Sequence, residues 1–183
     1  MTIWFTSDSH FCHKNIIKYC DRPFLDVEEM NSELIRRWNS EVAEDDVVYH
    51  LGDIYLGPAD RARSLLSALN GRIILIRGNH DRHSKDWYLQ RGIAEMYPSL
   101  FLYAGGKRIL LTHEPDKDTG YRIGEDYDLH FFGHIHNDTH RGAYPAVAHN
   151  GACLCVELWN YYPVALETIV RLCDETPFSC PNI

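Results

Sequence analysis

Five short apolar runs in this chain each end in residues able to bind a metal ion or move a proton. Ile3-Trp4-Phe5-Thr6-Ser7 leads to Asp8 and His10, and Val47-Val48-Tyr49-His50-Leu51-Gly52 leads to Asp53. Ile73 to Gly78 delivers Asn79, His80 and Asp81; Ile109-Leu110-Leu111-Thr112 delivers His113; Leu129-His130-Phe131-Phe132-Gly133 delivers His134 and His136. Imidazoles, carboxylates and one amide, without a thiolate, suit Mn²⁺, Fe, Zn²⁺, Ni²⁺ or Co²⁺ better than Ca²⁺, and they lack the sulfur of a structural zinc site. Asp8, His10, Asp53, Asn79, His113, His134 and His136 are too many ligands for one ion. A two-metal centre bridged by Asp53 would use them all, and cations roughly 3.5–4 Å apart are a recognised device for activating water. Mn²⁺ is the first choice of metal.

These residues need a scaffold that brings strand ends together. In sheets with helical crossovers, ligands bind beyond the carboxyl ends of the strands, where groups distant in sequence meet. The apolar pattern supplies such elements. Strands are expected at Ile3 to Ser7, Asp46 to Leu51, Arg72 to Ile76, Leu129 to Phe132 and Ala152 to Leu158. A hairpin is expected from Leu100 to Thr112 around Ala104-Gly105-Gly106. Helices are expected over Val27 to Val42, with Met30, Leu34 and Trp38 on one face, over Ala59 to Leu69, and around Lys85 to Gln90. A further element beyond Pro163 completes an α/β (α+β) layered sandwich. The two-residue spacing of Asp8 with His10, and of His134 with His136, would place each pair on one face of an extended segment. Gly52, Gly78 and Gly133 precede ligands, where a missing Cβ permits close backbone approach.

Length and composition bound what else the chain can be. At 183 residues and 45% hydrophobic content, one domain over 1–183 is expected. The first residues carry no basic leader or membrane-length apolar run, so a cytoplasmic protein without a membrane segment is expected. The six cysteines form no C-x-x-C pair and are expected to be reduced. Cys153 and Cys155 read as core residues, while Cys173 and Cys180 fall in a tail expected to be irregular, with their pairing left open. A formal charge of −8 argues against a broad surface that tracks nucleic-acid phosphates. Oligomeric state has no signature here.

The ordered set Asp8-Ser9-His10, Gly52-Asp53, Gly78-Asn79-His80-Asp81, His113 and Gly133-His134-Ile135-His136 resembles the calcineurin-like metallophosphoesterases, whose pattern is D-x-H, G-D, G-N-H-D/E, a lone H and G-H-x-H. The match runs from position 8 to 136. It implies a four-layer αββα sandwich of two mixed β-sheets flanked by helices. It also implies that Asp8, His10, Asp53 and His136 hold one cation and that Asp53, Asn79, His113 and His134 hold the other. His80 would then be the catalytic acid facing the leaving group, with Asp81 hydrogen-bonded to it. The implied reaction is hydrolysis of a phosphodiester or phosphomonoester by a metal-bridging hydroxide, with a small or nucleotide-like substrate as the partner.

The stretch from Ser7 to Ile16 is similar to the S-D-x-H-F-x-H-x-N-I opening of small bacterial and phage-type members, which implies that His13 lines the substrate site. Arg82 is a candidate phosphate binder. Cys153-Leu154-Cys155 replaces the family's Asn-Val-Gly-like stretch, a departure expected to alter the pocket wall and leave the metal ligands untouched. Two alternatives remain: a non-catalytic scaffold of the same fold, and a nuclease acting on nucleic-acid ends. The nuclease would need a basic groove, for which the chain offers Lys14, Arg82 and scattered arginines.

Overall fold

A computed structural model describes residues 1–115, 119–137 and 146–177. In chain order its strands are β1 (Ile3–Thr6), β2 (Val47–His50), β3 (Arg72–Ile76), β4 (Ile93–Tyr97), β5 (Leu100–Ala104), β6 (Lys107–Leu111), β7 (Leu129–Phe132), β8 (Val147–Ala148), β9 (Gly151–Cys153) and β10 (Val164–Ala165). The helices are α1 (Ile16–Tyr19), α2 (Val27–Glu41), α3 (Ala59–Leu66), α4 (Lys85–Leu89) and α5 (Leu166–Glu175). Two five-stranded mixed sheets result, ordered β10-β1-β2-β3-β4 and β5-β6-β7-β9-β8. Strands β1 to β4 are parallel neighbours, and β6, β7 and β9 are likewise parallel. Their carboxyl ends therefore gather at one end of each sheet.

Two apolar layers hold this arrangement. Phe5, Tyr49, Leu51, Ile74 and Ile76 of the first sheet meet Ile109, Leu111, Leu129 and Phe131 of the second, with Leu166, Ile169 and Cys173 of α5 closing the same core. On the other face of the first sheet, Val48, Ile73 and Leu75 pack against Met30, Leu34 and Trp38 of α2 and against Ala62, Leu65 and Leu66 of α3. Burying each large apolar side chain contributes roughly 1.5–3 kcal/mol. Helix α2 starts where Asp26 accepts from the amides of Glu28 and Glu29, both at 2.9 Å, a side-chain cap for donors that the helix cannot satisfy itself. The outward side of the second sheet is covered more lightly, by ring contacts of Tyr121 with Phe101 and of Tyr127 with His130.

Most expected elements appear within a few residues of their predicted ends, but five regions differ. Ala152 to Leu158 is not one strand: β9 ends at Cys153 and a 3-10 turn covers Val156–Trp159, followed by left-handed backbone at Asn160 and Tyr161. Strands β4 and β8 and the short helix α1 were absent from the expected pattern. The C-terminal segment contains α5, and Cys173 lies within it, buried, with its thiol directed to the Gly151 carbonyl at 3.6 Å. Cys180 lies outside the described residues. No helix among the described residues is long and apolar enough to cross a membrane.

Candidate metal centre

All seven candidate ligands meet at the carboxyl ends of β1, β2, β3, β6 and β7. Asp8 Oδ1 stands 3.7 Å from His10 Nε2 and 3.5 Å from His136 Nε2, and His10 Nε2 is 3.6 Å from Asp53 Oδ2. A second group continues from that same Asp53 oxygen. His113 Nε2 is 3.5 Å from it, Asn79 Oδ1 is 2.9 Å from His113 Nε2, and His134 Nδ1 lies 3.1 Å from Asn79 Oδ1 and 3.2 Å from His113 Nε2. Donors bound 2.0–2.2 Å from a common cation stand roughly 2.8–3.6 Å apart in octahedral or tetrahedral arrangements. All of these separations except the 3.7 Å from Asp8 to His10 fall in that range, and Asp53 Oδ2 adjoins both groups of donor atoms.

Unsatisfied atoms give an independent test of fit. Asp8 Oδ1 and both ring nitrogens of His10 are buried and have no hydrogen-bond partner among the described residues. Such orphans cost free energy unless an ion or water completes them. The electrostatics agree. Burial alone would raise the Asp8 carboxyl, but the neighbouring imidazoles of His136, His10 and His113 hold it well below its usual value. Burial likewise opposes charge on His113 and His136. The hydrogen bond to Asp53 and the charges of Asp8 and Asp53 nevertheless push His113 up to about 9, and Asp8 chiefly pushes His136 up to about 11. The carboxylates are recruiting positive charge, which a cation would supply in place of protons.

The backbone achieves this convergence by an unexpected route. Asp8, His10, Asp53, His134 and His136 all adopt positive φ, between 48° and 72°. Asp8 with His10, and His134 with His136, are therefore not paired by the alternation of an extended strand; each pair turns inward on left-handed backbone. This conformation is costly for residues with a Cβ and tends to cluster at functional sites. All three glycines are needed for space: a Cβ would stand 2.4 Å from His113 Nδ1 at Gly52, 2.1 Å from Asp53 Oδ1 at Gly78 and 2.0 Å from Ser7 Oγ at Gly133.

Asp81 does not reach the imidazole of His80. One carboxylate oxygen accepts from the amides of Asp53 and Gly78, both at 2.8 Å, and the other accepts from the Tyr88 hydroxyl at 3.2 Å and the Ile54 amide at 3.3 Å. Buried among backbone donors, it braces the loop that carries Asp53. His80 donates its amide to Asp53 Oδ1 at 2.8 Å, and its half-exposed ring puts Nε2 4.0 Å from Asp53 Oδ2. The His13 ring centroid is 5.7 Å from that of His10. Burial, reinforced by positive neighbours, lowers His13 to about 4, so it is neutral at pH 7. Arg82 is exposed, and none of its side-chain contacts among the described residues joins the cluster.

Several supporting residues had no signal in the sequence. Arg22 and Glu157 form a buried ion pair at 2.6 Å, and Glu157 Oε1 accepts from His136 Nδ1 at 2.9 Å. His50, lowered to about 3 by burial, contacts Ser9 Oγ at 2.9 Å and stacks on Trp38. Cys155 corrects the expectation that its segment leaves the ligands untouched. Its thiol donates to Asp8 Oδ2 at 3.3 Å and accepts the His136 amide at 3.2 Å, because a parallel bridge between Ser7 and Cys155 joins the two sheets beside the cluster.

Two mixed sheets with ligand-bearing strand ends define a metallophosphoesterase architecture. The sequence model of the calcineurin-like phosphoesterase superfamily domain matches residues 1–154, and the chain belongs to that family. An uncharacterised protein of Methanocaldococcus jannaschii is 39% identical over 181 residues, covering 94% of this chain and 92% of its own. The Gene 66 protein of Mycobacterium phage L5 is 32% identical over 160 residues, covering 73% of this chain and 77% of its own. Among solved structures, an Aquifex aeolicus protein of unknown function superposes with a TM-score of 0.72 at 26% identity, covering 93% of this chain and 98% of its own.

Proposed function

We propose that the protein is a dinuclear-metal phosphoesterase that hydrolyses small or nucleotide-like phosphodiesters or phosphomonoesters. The observation that carries this reading is the shared oxygen: Asp53 Oδ2 lies 3.6 Å from His10 Nε2 on one side and 3.5 Å from His113 Nε2 on the other. Asp8, His10 and His136 with Asp53 would hold one cation; Asn79, His113 and His134 with Asp53 would hold the other. When bound, such a pair activates water and neutralises charge on phosphoryl oxygens.

The chain's own residues do the rest. Asp53 keeps the two positions at a fixed separation, and Asp81 fixes Asp53 by holding its backbone amide. The half-exposed His80 ring stands beside Asp53 on the open side, where a positioned imidazole would serve as the general acid for the leaving oxygen of a bound ester. His13 presents an uncharged ring on the His10 side, with one ring nitrogen able to donate a hydrogen bond and the other able to accept one. Mn²⁺ is the proposed metal because the donor set is nitrogen and oxygen with an amide and no sulfur.

The test is a screen of purified protein against bis-p-nitrophenyl phosphate and p-nitrophenyl phosphate with Mn²⁺, Ni²⁺, Co²⁺ and Zn²⁺. Metal-dependent turnover of one or both esters is expected. No turnover with any metal would overturn the proposal in favour of a non-catalytic scaffold.

A further inference from the structure

The Arg22–Glu157 pair is 135 residues apart in sequence, and both side chains are buried, at 0% and 3% exposure. Its contacts end on one side of the metal centre. Arg22 Nη2 donates to the Asp8 carbonyl at 2.7 Å and Nη1 to the Ser9 carbonyl at 2.9 Å, so one guanidinium grips the backbone between two candidate ligands. Its Nε and Nη2 both donate to Glu157 Oε1, at 2.9 and 2.6 Å. The same oxygen takes the Nδ1 proton of His136, while Glu157 Oε2 is buried with no partner among the described residues. All of the carboxylate's hydrogen bonding is thus concentrated on the atom that links Arg22 to His136.

The other group of ligands is built without this pair. His113 Nδ1 is held by the Leu51 carbonyl at 2.8 Å, and Asn79 and His134 contact His113 and each other. A carboxylate on the far nitrogen of a ligating imidazole fixes its tautomer and orientation and raises its basicity, and losing such a partner typically weakens metal binding 10–100-fold. An imidazole whose Nδ1 is protonated and engaged leaves Nε2 as its donor, and Nε2 is the His136 atom that faces Asp8.

We infer that the Arg22–Glu157 pair is a positioning device for one cation only, the one assigned to Asp8, His10, His136 and Asp53, so that the affinities of the two positions can be separated by changing it. This inference rests on the two-cation reading above. Arg22 fixes Asp8 through its backbone, Glu157 fixes His136 through its ring, and the ion pair locks the two fixings together.

The experiment is calorimetric titration of metal-free protein with Mn²⁺, read alongside the electron paramagnetic resonance spectrum, which distinguishes a coupled manganese pair from a lone ion. Wild type is expected to bind two ions per chain and give the coupled spectrum; if it binds none or one, the two-cation reading itself fails. Glu157→Gln should bind one ion at wild-type affinity and the second 10–100-fold more weakly, giving a lone-ion spectrum at one equivalent. Glu157→Asp keeps the buried charge balanced but shortens the reach to His136. It should show the same selective loss with near-native circular dichroism, which keeps the test decisive if the Gln variant fails to fold. Two unchanged affinities in a folded variant, or equal weakening at both positions, would overturn the inference.

Discussion

The two halves of the candidate metal centre meet at one Asp53 oxygen and differ in almost everything behind it. On the Asp8 side Asp8 and His10 are buried, at 0% and 2% exposure, and His136 is partly buried. A dense set of partners surrounds them. Ser7 Oγ, Cys155 Sγ and the His134 amide all donate to Asp8 Oδ2, leaving Oδ1 free for the pocket. On the His113 side Asn79 is exposed and His134 half-buried, and one backbone carbonyl steadies the His113 ring. Rotamers locked by packing and hydrogen bonds give precise, tight sites, whereas ligands open to solvent exchange their ion and meet the substrate more readily. One half reads as the anchor and the other as the working edge.

The sharpest way to break this contrast is to remove what the halves share. Asp53→Asn should empty both positions: metal content should fall from two ions per chain toward none, and ester hydrolysis should be abolished. Full metal loading or wild-type turnover in that variant would contradict the bridging role. Next in size is His80→Ala, which removes no proposed ligand and keeps the backbone amide that holds Asp53. It should keep both ions and slow hydrolysis about 10²–10⁴-fold, the range for loss of a positioned general acid, with the largest loss for esters of poor leaving groups. An equal loss for every leaving group would remove proton donation from the account.

Asp81→Asn separates two roles for one carboxylate. Its oxygens accept from three backbone amides and a tyrosine hydroxyl, so an amide group there would set a donor against donors, at a cost of about 3 kcal/mol. The expected outcome is weaker metal binding at both positions and a melting temperature several degrees lower, with the leaving-group dependence of hydrolysis unchanged. A changed leaving-group dependence with intact metal content would instead return Asp81 to the support of His80.

Residue types and order singled out the seven residues whose donor groups converge at these strand ends, because metal chemistry restricts which side chains can serve and each stands next to an apolar run. The conformation that aims them was hidden. Nothing in Asp-Ser-His distinguishes an extended strand from backbone with positive φ at both ends, and the cost of that conformation is carried by tertiary contacts such as the Arg22 grip on the Asp8 and Ser9 carbonyls. Arg22 and Glu157 were illegible for a related reason: a lone arginine and a lone glutamate resemble solvated surface residues until the fold joins them. Strand β4 was missed because Ile93–Tyr97 shows no clean alternation, with only Ile93 and Met96 buried. The strand expected through Leu158 failed because Cys155 must turn away from β9 to pair with Ser7.

The smallest expected effect concerns protons that stand where cations would be. In the metal-free protein His113 is raised to about 9 and His136 to about 11 from an ordinary value of 6.5. A raised imidazole contributes stability that is fully present below 6.5 and is lost as pH climbs through the folded value. Asp8 and Asp53 are lowered from 3.8, so their contribution is present above that value and is lost as pH falls through the folded ones. The metal-free form should therefore be most stable between about pH 4 and 6.5 and should lose stability progressively toward pH 9. Bound cations take over the work of those protons, so the Mn²⁺-loaded form should show no such alkaline loss, and loading at pH 7.5 should release protons measurable in weakly buffered solution. Melting curves of both forms from pH 5 to 9 check this directly. Parallel curves would mean that His113 and His136 do not trade protons for metal, and the electrostatic link between the two halves would fall with them.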